Sequence, residues 1–311
     1  EHAIKLTKWE KMRLACEELG PTFVKFGQIL SNRADVLPQE LIIELEKLQD
    51  SVPPFSSEEA LAMIEKELDK PATEVFYEFD RAPFASASMA QVHKATLMDG
   101  TKVVVKVQRP GIREIVESDI QIMLIIAEIL QRNIDSLKSF DPVGLIRHFE
   151  KSISEELDFI HESVNIQRFR ELIKEEPEIY APDVHREFST DKVLTMEFID
   201  GIKVSKVRKL EEAGLDRRMI AKRTLHAVLK QVFEKGYFHA DPHAGNILIM
   251  PNNVVCFIDF GMMGTILRKD VEQITEILMA IETKDTKKII HGIQRLSDDA
   301  FLESPQKLEY D

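Results

Sequence analysis

The stretch that most limits what this chain can become runs from His239 to Gly261, HADPHAGNILIMPNNVVCFIDFG. NILIM and VVCFIDFG are short β-prone runs on either side of Asn252-Asn253, a pattern that predicts two short strands joined by a turn. The loop before the first strand holds Asp241 and Asn246, five positions apart, and the second strand runs into Asp259-Phe260-Gly261, with Asp259 thirteen positions beyond Asn246. Magnesium bound to triphosphate takes one or two hard side-chain oxygens and fills its remaining positions with phosphate oxygens and water. Asn246 and Asp259 supply such oxygens and are the candidate metal ligands.

The flanking histidines give a competing reading. His239-x-Asp241-x-His243 in an extended loop could hold a metal, but no further histidine or cysteine cluster completes the set. The simpler expectation is that one histidine packs beneath the loop while the other is partly exposed. An Asp followed five positions later by Asn, with D-F-G on the next hairpin, is by contrast the arrangement of kinases, where the Asp orients or deprotonates the attacking hydroxyl or water. Asp241 is therefore the candidate catalytic residue.

A site of that kind also needs a strand lysine for the α and β phosphates and a helix glutamate to hold the lysine. Lys106 stands in VVVKV among β-branched neighbours, where a charge is costly unless partnered. By itself it would read as an edge-strand lysine facing water. Its place in QVHKATLMDGTKVVVKVQ, where Asp99-Gly100 separates two β-prone runs as a hairpin turn, favours the functional role. For its partner, EELDFIHE offers Glu155, Glu156 and Glu162.

Just before the hairpin, FASASMAQVH occupies the place of a glycine-rich phosphate loop. Ala85, Ser86, Ala87 and Ser88 keep the side chains small but restrict the backbone more than glycine would, giving a stiffer cradle for the nucleotide. Met196-Glu197-Phe198-Ile199 ends a predicted strand before Gly201, so Glu197 and Ile199 are candidate backbone contacts for adenine, with Met196 behind the base. Met262-Met263 after D-F-G reads as packing.

Lys8 to Gln49 reads as helices, with Leu41, Ile42, Leu45 and Leu48 on one face. After a break at SVPPFSS, Ser56 or Ser57 caps SEEALAMIEKEL, and helical character is expected to about Phe79. Beyond the hairpin, helices are predicted from about Ile112 to Arg132, the apolar run Ile120 to Leu130 being buried, and from Asp141 through about Glu171. Asp216 caps the next, with Ile220, Leu225, Val228, Leu229 and Val232 as its apolar stripe and Gly236 as its stop, so HADPHAGN is expected in a loop directly after it. From Gly261 the chain is expected to run straight into helix as far as Ile293. No internal repeat or low-complexity tract is present.

The 54 acidic residues outnumber the 41 Lys and Arg, and the net charge of −13 excludes a general nucleic-acid binder. Two cysteines 240 positions apart, Cys16 and Cys256, offer no disulfide framework and suit a reducing compartment. The run Ile120 to Leu130 is too short to span a bilayer. The opening Glu1 and the lack of a signal-peptide pattern suggest a piece excised from a longer protein.

Six motifs in order, LGPTFVKFGQILSNRADVLP, FASASMAQVH, VVVKVQRPG, EELDF, HADPHAGN and IDFG, make the chain resemble the UbiB family of atypical kinases, also called the ADCK family, over nearly its whole length. The resemblance implies an α+β, bilobal protein-kinase-like fold: residues 1–80 as a helical extension, 81–200 as a small lobe with inserted helices, and 201–311 as a truncated, mostly helical large lobe. It implies ATP or ADP and Mg2+ as cofactors. The K-x-G-Q signature of the family falls on Lys25, Gly27 and Gln28.

On residues alone, Thr22, Lys25, Gln28 and Asn32 form a polar helix stripe opposite Phe23, Phe26 and Leu30, which a solvated face would also explain. The resemblance instead makes them a gate over the nucleotide site, with Lys25 meeting the E-x-D acids Glu156 and Asp158, and Glu162 in the position of the lysine's partner. It further implies an ATPase or phosphotransferase supporting isoprenoid quinone biosynthesis or lipid homeostasis, with a lipid or quinone-precursor ligand, cytoplasmic and peripheral to or anchored at a membrane. The missing A-P-E and activation segment disfavour a peptide substrate. A Ser/Thr protein kinase or autokinase, and a nucleotide-gated scaffold, remain the alternatives.

Overall fold

A computed structural model of the chain describes residues 6–31, 37–48, 53–135 and 140–296. The expectations for Asn32, Gln49, Ser51 and Val52 lie outside them. Thr7 opens α1 (Lys8–Leu19) with a capping box, its hydroxyl accepting from the Glu10 N–H while the Glu10 carboxylate accepts from the Thr7 N–H. α2 (Pro21–Ser31) follows Gly20, which ends α1 at φ 107°. α3 (Gln39–Leu45) buries Leu41, Ile42 and Leu45, and Leu48 beyond its end is buried as well. Thr22 is fully buried, so the polar stripe of α2 is not simply a solvated face.

Ser56 caps α4 (Ser57–Leu68) in a second capping box, with Glu59. A single helical turn, α5 (Ala72–Val75), leads into β1 (Phe76–Phe79), a strand where helix was expected. FYEF pairs antiparallel with β3 (Ala90–Leu97) and buries Phe76, and its aromatic residues favour that pleated, half-buried surface. β2 (Ala85–Ser86) also pairs with β3, and β4 (Lys102–Gln108) completes the hairpin, in which Gly100 takes φ 87°.

Gly111 starts α6 (Ile112–Asn133). The expectation that its apolar run is buried fails for one side: Ile120, Met123 and Ala127 are inside, while Ile122, Ile125, Ile126 and Ile129 are exposed. The single helix expected from Asp141 is two, α7 (Pro142–Glu156) and α8 (Phe159–Leu172). The break has a local cause, since Asp158 turns its carboxylate onto the N–H groups of Ile160 and His161 and so caps α8.

β5 (Ile179–Tyr180), β6 (Val193–Glu197), β7 (Ile202–Lys203) and α9 (Val207–Glu212) follow. Asp216 caps α10 (Arg217–Lys230), but Leu225 and Leu229 are exposed. Its buried positions are Ile220 and Ala227, so the apolar stripe read from sequence is displaced around the helix. A π turn, Gln231–Lys235, ends at Gly236, whose φ of 63° suits glycine and where a Cβ would stand 3.0 Å from the Ile266 carbonyl.

β8 (Tyr237–His239) comes between that helix and the HADPHAGN loop, which corrects the expectation of a loop directly after α10. β9 (Ile247–Met250) and β10 (Val254–Phe257) form the hairpin, with Asn252 and Asn253 at φ 62° and 59°. β11 (Met263–Thr265) then pairs with β8, so the chain does not pass straight from D-F-G into α11 (Arg268–Glu282) and α12 (Thr286–Leu296).

Two compact units result: one runs to Phe169 and includes Pro182–Asp200, and the other comprises Arg170–Ala181 and the chain from Gly201. The first contains an antiparallel sheet in the order β1-β3-β4-β6, with β2 on β3. Val103, Val105, Val107 and Val193 are fully buried there against Ile64, Val75 and Phe76. Each such side chain contributes roughly 1.5–3 kcal/mol. A second apolar cluster of this unit joins α6, α7 and Met89, and a third joins α2 and α3. The second unit contains the sheet β5-β10-β9-β7, with β5 parallel to β10, and the ribbon β11-β8.

Candidate functional site

Lys106 sits on β4 opposite Val92 and Leu194, between the fully buried Val105 and Val107. Period-2 alternation turns it to the other face of the sheet. Its Nζ lies 2.8 Å from Oε2 of Glu162 on α8, with the lysine side chain 16% exposed and the glutamate 1%. The Phe159 ring lies 5.1 Å from the ammonium. Of the three glutamates offered by EELDFIHE, Glu162 is thus the one in contact with Lys106. Glu156 instead forms a 2.8 Å ion pair with Lys25 of α2, and Glu155 lies 4.0 Å from Lys151. Gln28 donates to the Leu48 carbonyl, 3.2 Å away.

Gly27, between Lys25 and Gln28, has a packing role. A Cβ there would stand 2.4 Å from Leu48 Cδ1 and 3.3 Å from Leu45 Cδ2, so a larger residue would have to turn the tips of those leucines aside.

In the small-residue loop, the Ala87 N–H donates to the Ala90 carbonyl at 2.8 Å and Ser88 is buried. The loop carbonyls meet Arg109, whose guanidinium donates to Ser88 O, Ala87 O and Pro53 O. Sequence reading used Arg109 only as the end of the hairpin. Gln108 and Arg113 escaped it as well: both donate to the Leu157 carbonyl at 2.8 Å, bracing the break that precedes Asp158. A polar residue closing an apolar strand run was the available signal for Gln108.

At the segment expected to meet adenine, the Glu197 N–H donates to Asp183 O and the Phe198 N–H to Lys102 O. Oε2 of Glu197 accepts from the Asp183 N–H, and Ile199 is buried. These two N–H groups are therefore committed to backbone carbonyls within the unit.

The second unit holds the loop residues. His239 closes β8, is 3% exposed, and has its ring 5.4 Å from those of Phe257 and Phe260. Its main-chain N–H donates to Gln231 Oε1, and its Nδ1 accepts from the Asp241 N–H at 3.2 Å, which leaves the ring proton on Nε2. Burial pushes its pKa below the ordinary value of 6.5, an effect that Asp259 and then the Asp241 carboxylate partly offset. His243 is more than half exposed and 3.9 Å from Asp241. Among the described residues, no group of three or more His, Cys, Asp or Glu side chains could hold a metal by itself.

The Asp241 side chain is half exposed. Asn246 donates from its amide to the Asp241 carbonyl at 3.2 Å, and its main-chain carbonyl accepts from Ile258 at 3.1 Å, tying the first loop to the end of β10. Oδ1 of Asp259 accepts from the Gly261 N–H at 3.1 Å, fixing the D-F-G turn, and Phe260 is fully buried beneath it. The Asn246 side-chain oxygen and the second carboxylate oxygen of Asp259 are hard donors of the kind Mg2+ takes alongside phosphate.

Residues 47–292 match the profile of the ABC1 atypical kinase-like domain. A Marinobacter nauticus protein named probable protein kinase UbiB is 42% identical over 289 residues, which is 92% of this chain and 53% of the relative. The Arabidopsis thaliana chloroplastic protein named ACTIVITY OF BC1 COMPLEX KINASE 7 is 39% identical over 91% of this chain and 40% of its own length. The chain thus spans about half the length, or less, of these relatives. A Mycobacterium tuberculosis protein solved in complex with erythromycin has the same fold, with a TM-score of 0.61 at 23% identity over 78% of this chain and 61% of that one.

Proposed function

The chain belongs to the ABC1 atypical kinase-like family, and from that membership we propose that it binds ATP or ADP with Mg2+ and hydrolyses ATP or transfers its phosphate to a small molecule. The observation that carries this reading is the buried Lys106–Glu162 pair, joining residues 56 positions apart at 2.8 Å. A charge held at that depth needs a reason beyond stability, because well-packed apolar residues would serve stability as well or better.

In this reading Lys106 orients the α and β phosphates, the loop Ala85 to Ser88 cradles them, and the segment Glu197 to Ile199 lies beside the base. Asn246 and Asp259 would hold magnesium, whose chemistry is to neutralise charge developing on the phosphate oxygens. Asp241, half exposed on a loop anchored by His239, takes or orients the proton of the attacking hydroxyl or water. Lys25 paired with Glu156 gates access to the nucleotide.

We place the biological role in isoprenoid quinone biosynthesis or lipid homeostasis at a membrane surface, on the resemblance stated above. No helix of the described residues is long and apolar enough to cross a membrane. A protein substrate is disfavoured because only Met262 to Leu267 separate Gly261 from α11.

Thermal melting with ADP or ATP, with and without Mg2+, tests the reading on wild type and Asp259→Asn. Asparagine keeps an acceptor for the Gly261 N–H, so the turn should survive. At a hundredfold excess over its dissociation constant, a nucleotide adds about 2.7 kcal/mol of stability. A magnesium-dependent rise in wild type that vanishes in the variant supports the proposal; no rise in either protein would refute it. Binding without turnover that depends on Asp241 would instead favour a nucleotide-gated scaffold.

A further inference from the structure

α6 presents two apolar faces. One packs inward through Ile112, Val116, Ile120, Met123 and Ala127, against Ile146, Phe149 and Ile153 of α7. The other is open among the described residues: Ile115, Ile122, Ile125, Ile126 and Ile129 are 45%, 51%, 59%, 49% and 55% exposed. Ile115, Ile122, Ile126 and Ile129 recur at spacings of seven, four and three, which aligns them along one side of a helix. β-branched side chains lose rotamer freedom in a helix and gain nothing from water, so this stripe calls for a covering partner.

The charges around the stripe select the partner. Glu114, Glu117 and Glu128 lie on the exposed part of the helix, an acidic flank that disfavours contact with anionic lipid. Arg132, at the far end of that flank, supplies the opposite charge that an antiparallel second copy would bring to Glu114. Glu114 and Arg132 are eighteen residues apart, five turns at 3.6 residues per turn, so they occupy the same flank at opposite ends.

We propose that a second copy of this chain docks here, α6 against α6, antiparallel about a two-fold axis level with Met123. That symmetry sets Glu114 of each copy beside Arg132 of the other and interleaves the isoleucines of the two stripes. Glu117 and Glu128 lie further round the helix, away from the contact. Within one chain Arg132 meets Glu128 at 3.2 Å with both side chains more than half exposed, a contact too weak to hold it back.

Sedimentation equilibrium of the whole chain is the first experiment. Wild type should dimerise, and Ile126→Glu should be monomeric. Glu114→Arg or Arg132→Glu alone should raise the dissociation constant about tenfold, because each reversal strikes both symmetric contacts. The double reversal should restore it.

Oxidation provides the geometric control. Ile122→Cys lies next to the axis and should cross-link between copies. Ile115→Cys should not, since at 1.5 Å per residue the two copies of that position stand roughly 24 Å apart along the helix. Cross-linking at both positions would mean parallel pairing and overturn the proposal. So would a monomeric wild type, or a monomer that binds zwitterionic phosphatidylcholine vesicles through Ile126, in which case the stripe is a lipid face.

Discussion

Replacing Glu162 by Leu should deprive the Lys106 ammonium, which lies beside the Phe159 ring, of its buried carboxylate. The glutamate side chain is 1% exposed and the lysine 16%, so the pair is largely withdrawn from water. Removing one partner of a buried pair costs about 3–5 kcal/mol, because the remaining charge keeps its desolvation penalty and loses its compensation. The Phe159 ring, 5.1 Å from the ammonium, and the lysine's partial exposure put Glu162→Leu near the lower end. Lys106→Met should cost more, since it leaves a carboxylate enclosed on nearly every side.

The double variant Lys106→Met with Glu162→Leu should return to within about 1–2 kcal/mol of wild type, since apolar replacements of similar volume substitute well for a buried pair. Urea denaturation of the four proteins gives the coupling energy directly. Strictly additive single costs, or a Glu162→Leu cost below about 1 kcal/mol, would refute the reasoning by making the pair solvent-screened. The double variant should also lose nucleotide-dependent stabilisation while staying folded, which separates a structural role for the pair from a functional one.

Three further outcomes are expected. Because burial depresses the His239 pKa, the folded protein disfavours the imidazolium; stability from this group is full above the ordinary value of 6.5 and falls as pH drops below it, and denaturation midpoints at pH 7.5 and 5.5 should differ less in His239→Gln than in wild type. Gly27→Ala gains up to about 1 kcal/mol of helix propensity while a Cβ meets the tips of Leu48 and Leu45, which can turn aside, so thermal melting should show a change within about 1 kcal/mol; a loss above about 2 kcal/mol would show that the leucines cannot move. Ala87→Gly frees the backbone of a loop whose carbonyls are tied to Arg109, and relative affinities for ATP and ADP, measured by calorimetry, should change; unchanged affinities for both would remove the loop from nucleotide selection.

Much of this protein is written locally. The capping boxes at Thr7 and Ser56, the Asp216 cap, the hairpin through Gly100 and the Asn252-Asn253 turn depend on side chains acting within a few residues, so their signals survive in the chain. The Asp241, Asn246 and Asp259 spacing is legible for the same reason, since one loop and one hairpin contain all three. What sequence misplaced depends on neighbours distant in the chain. Phe76–Phe79 follows a run of helices and becomes a strand because β3 offers it an edge. α10 buries Ala227 and exposes Leu225 because its packing surface, rather than its own periodicity, fixes its rotation.

The sequence by itself therefore determined the kinds of element, their order and the residue types of the candidate site. Residue type alone left Glu155, Glu156 and Glu162 equal candidates for Lys106, and the resemblance pointed to Glu162 there and to Glu156 with Lys25; the tertiary structure makes both contacts, and it alone decided that Gln231, Gln108 and Arg109 hold loops in place. The acids of EELDFIHE differ little in type, and a carboxylate has no preference for one lysine over another until packing fixes the distance and excludes the water between them.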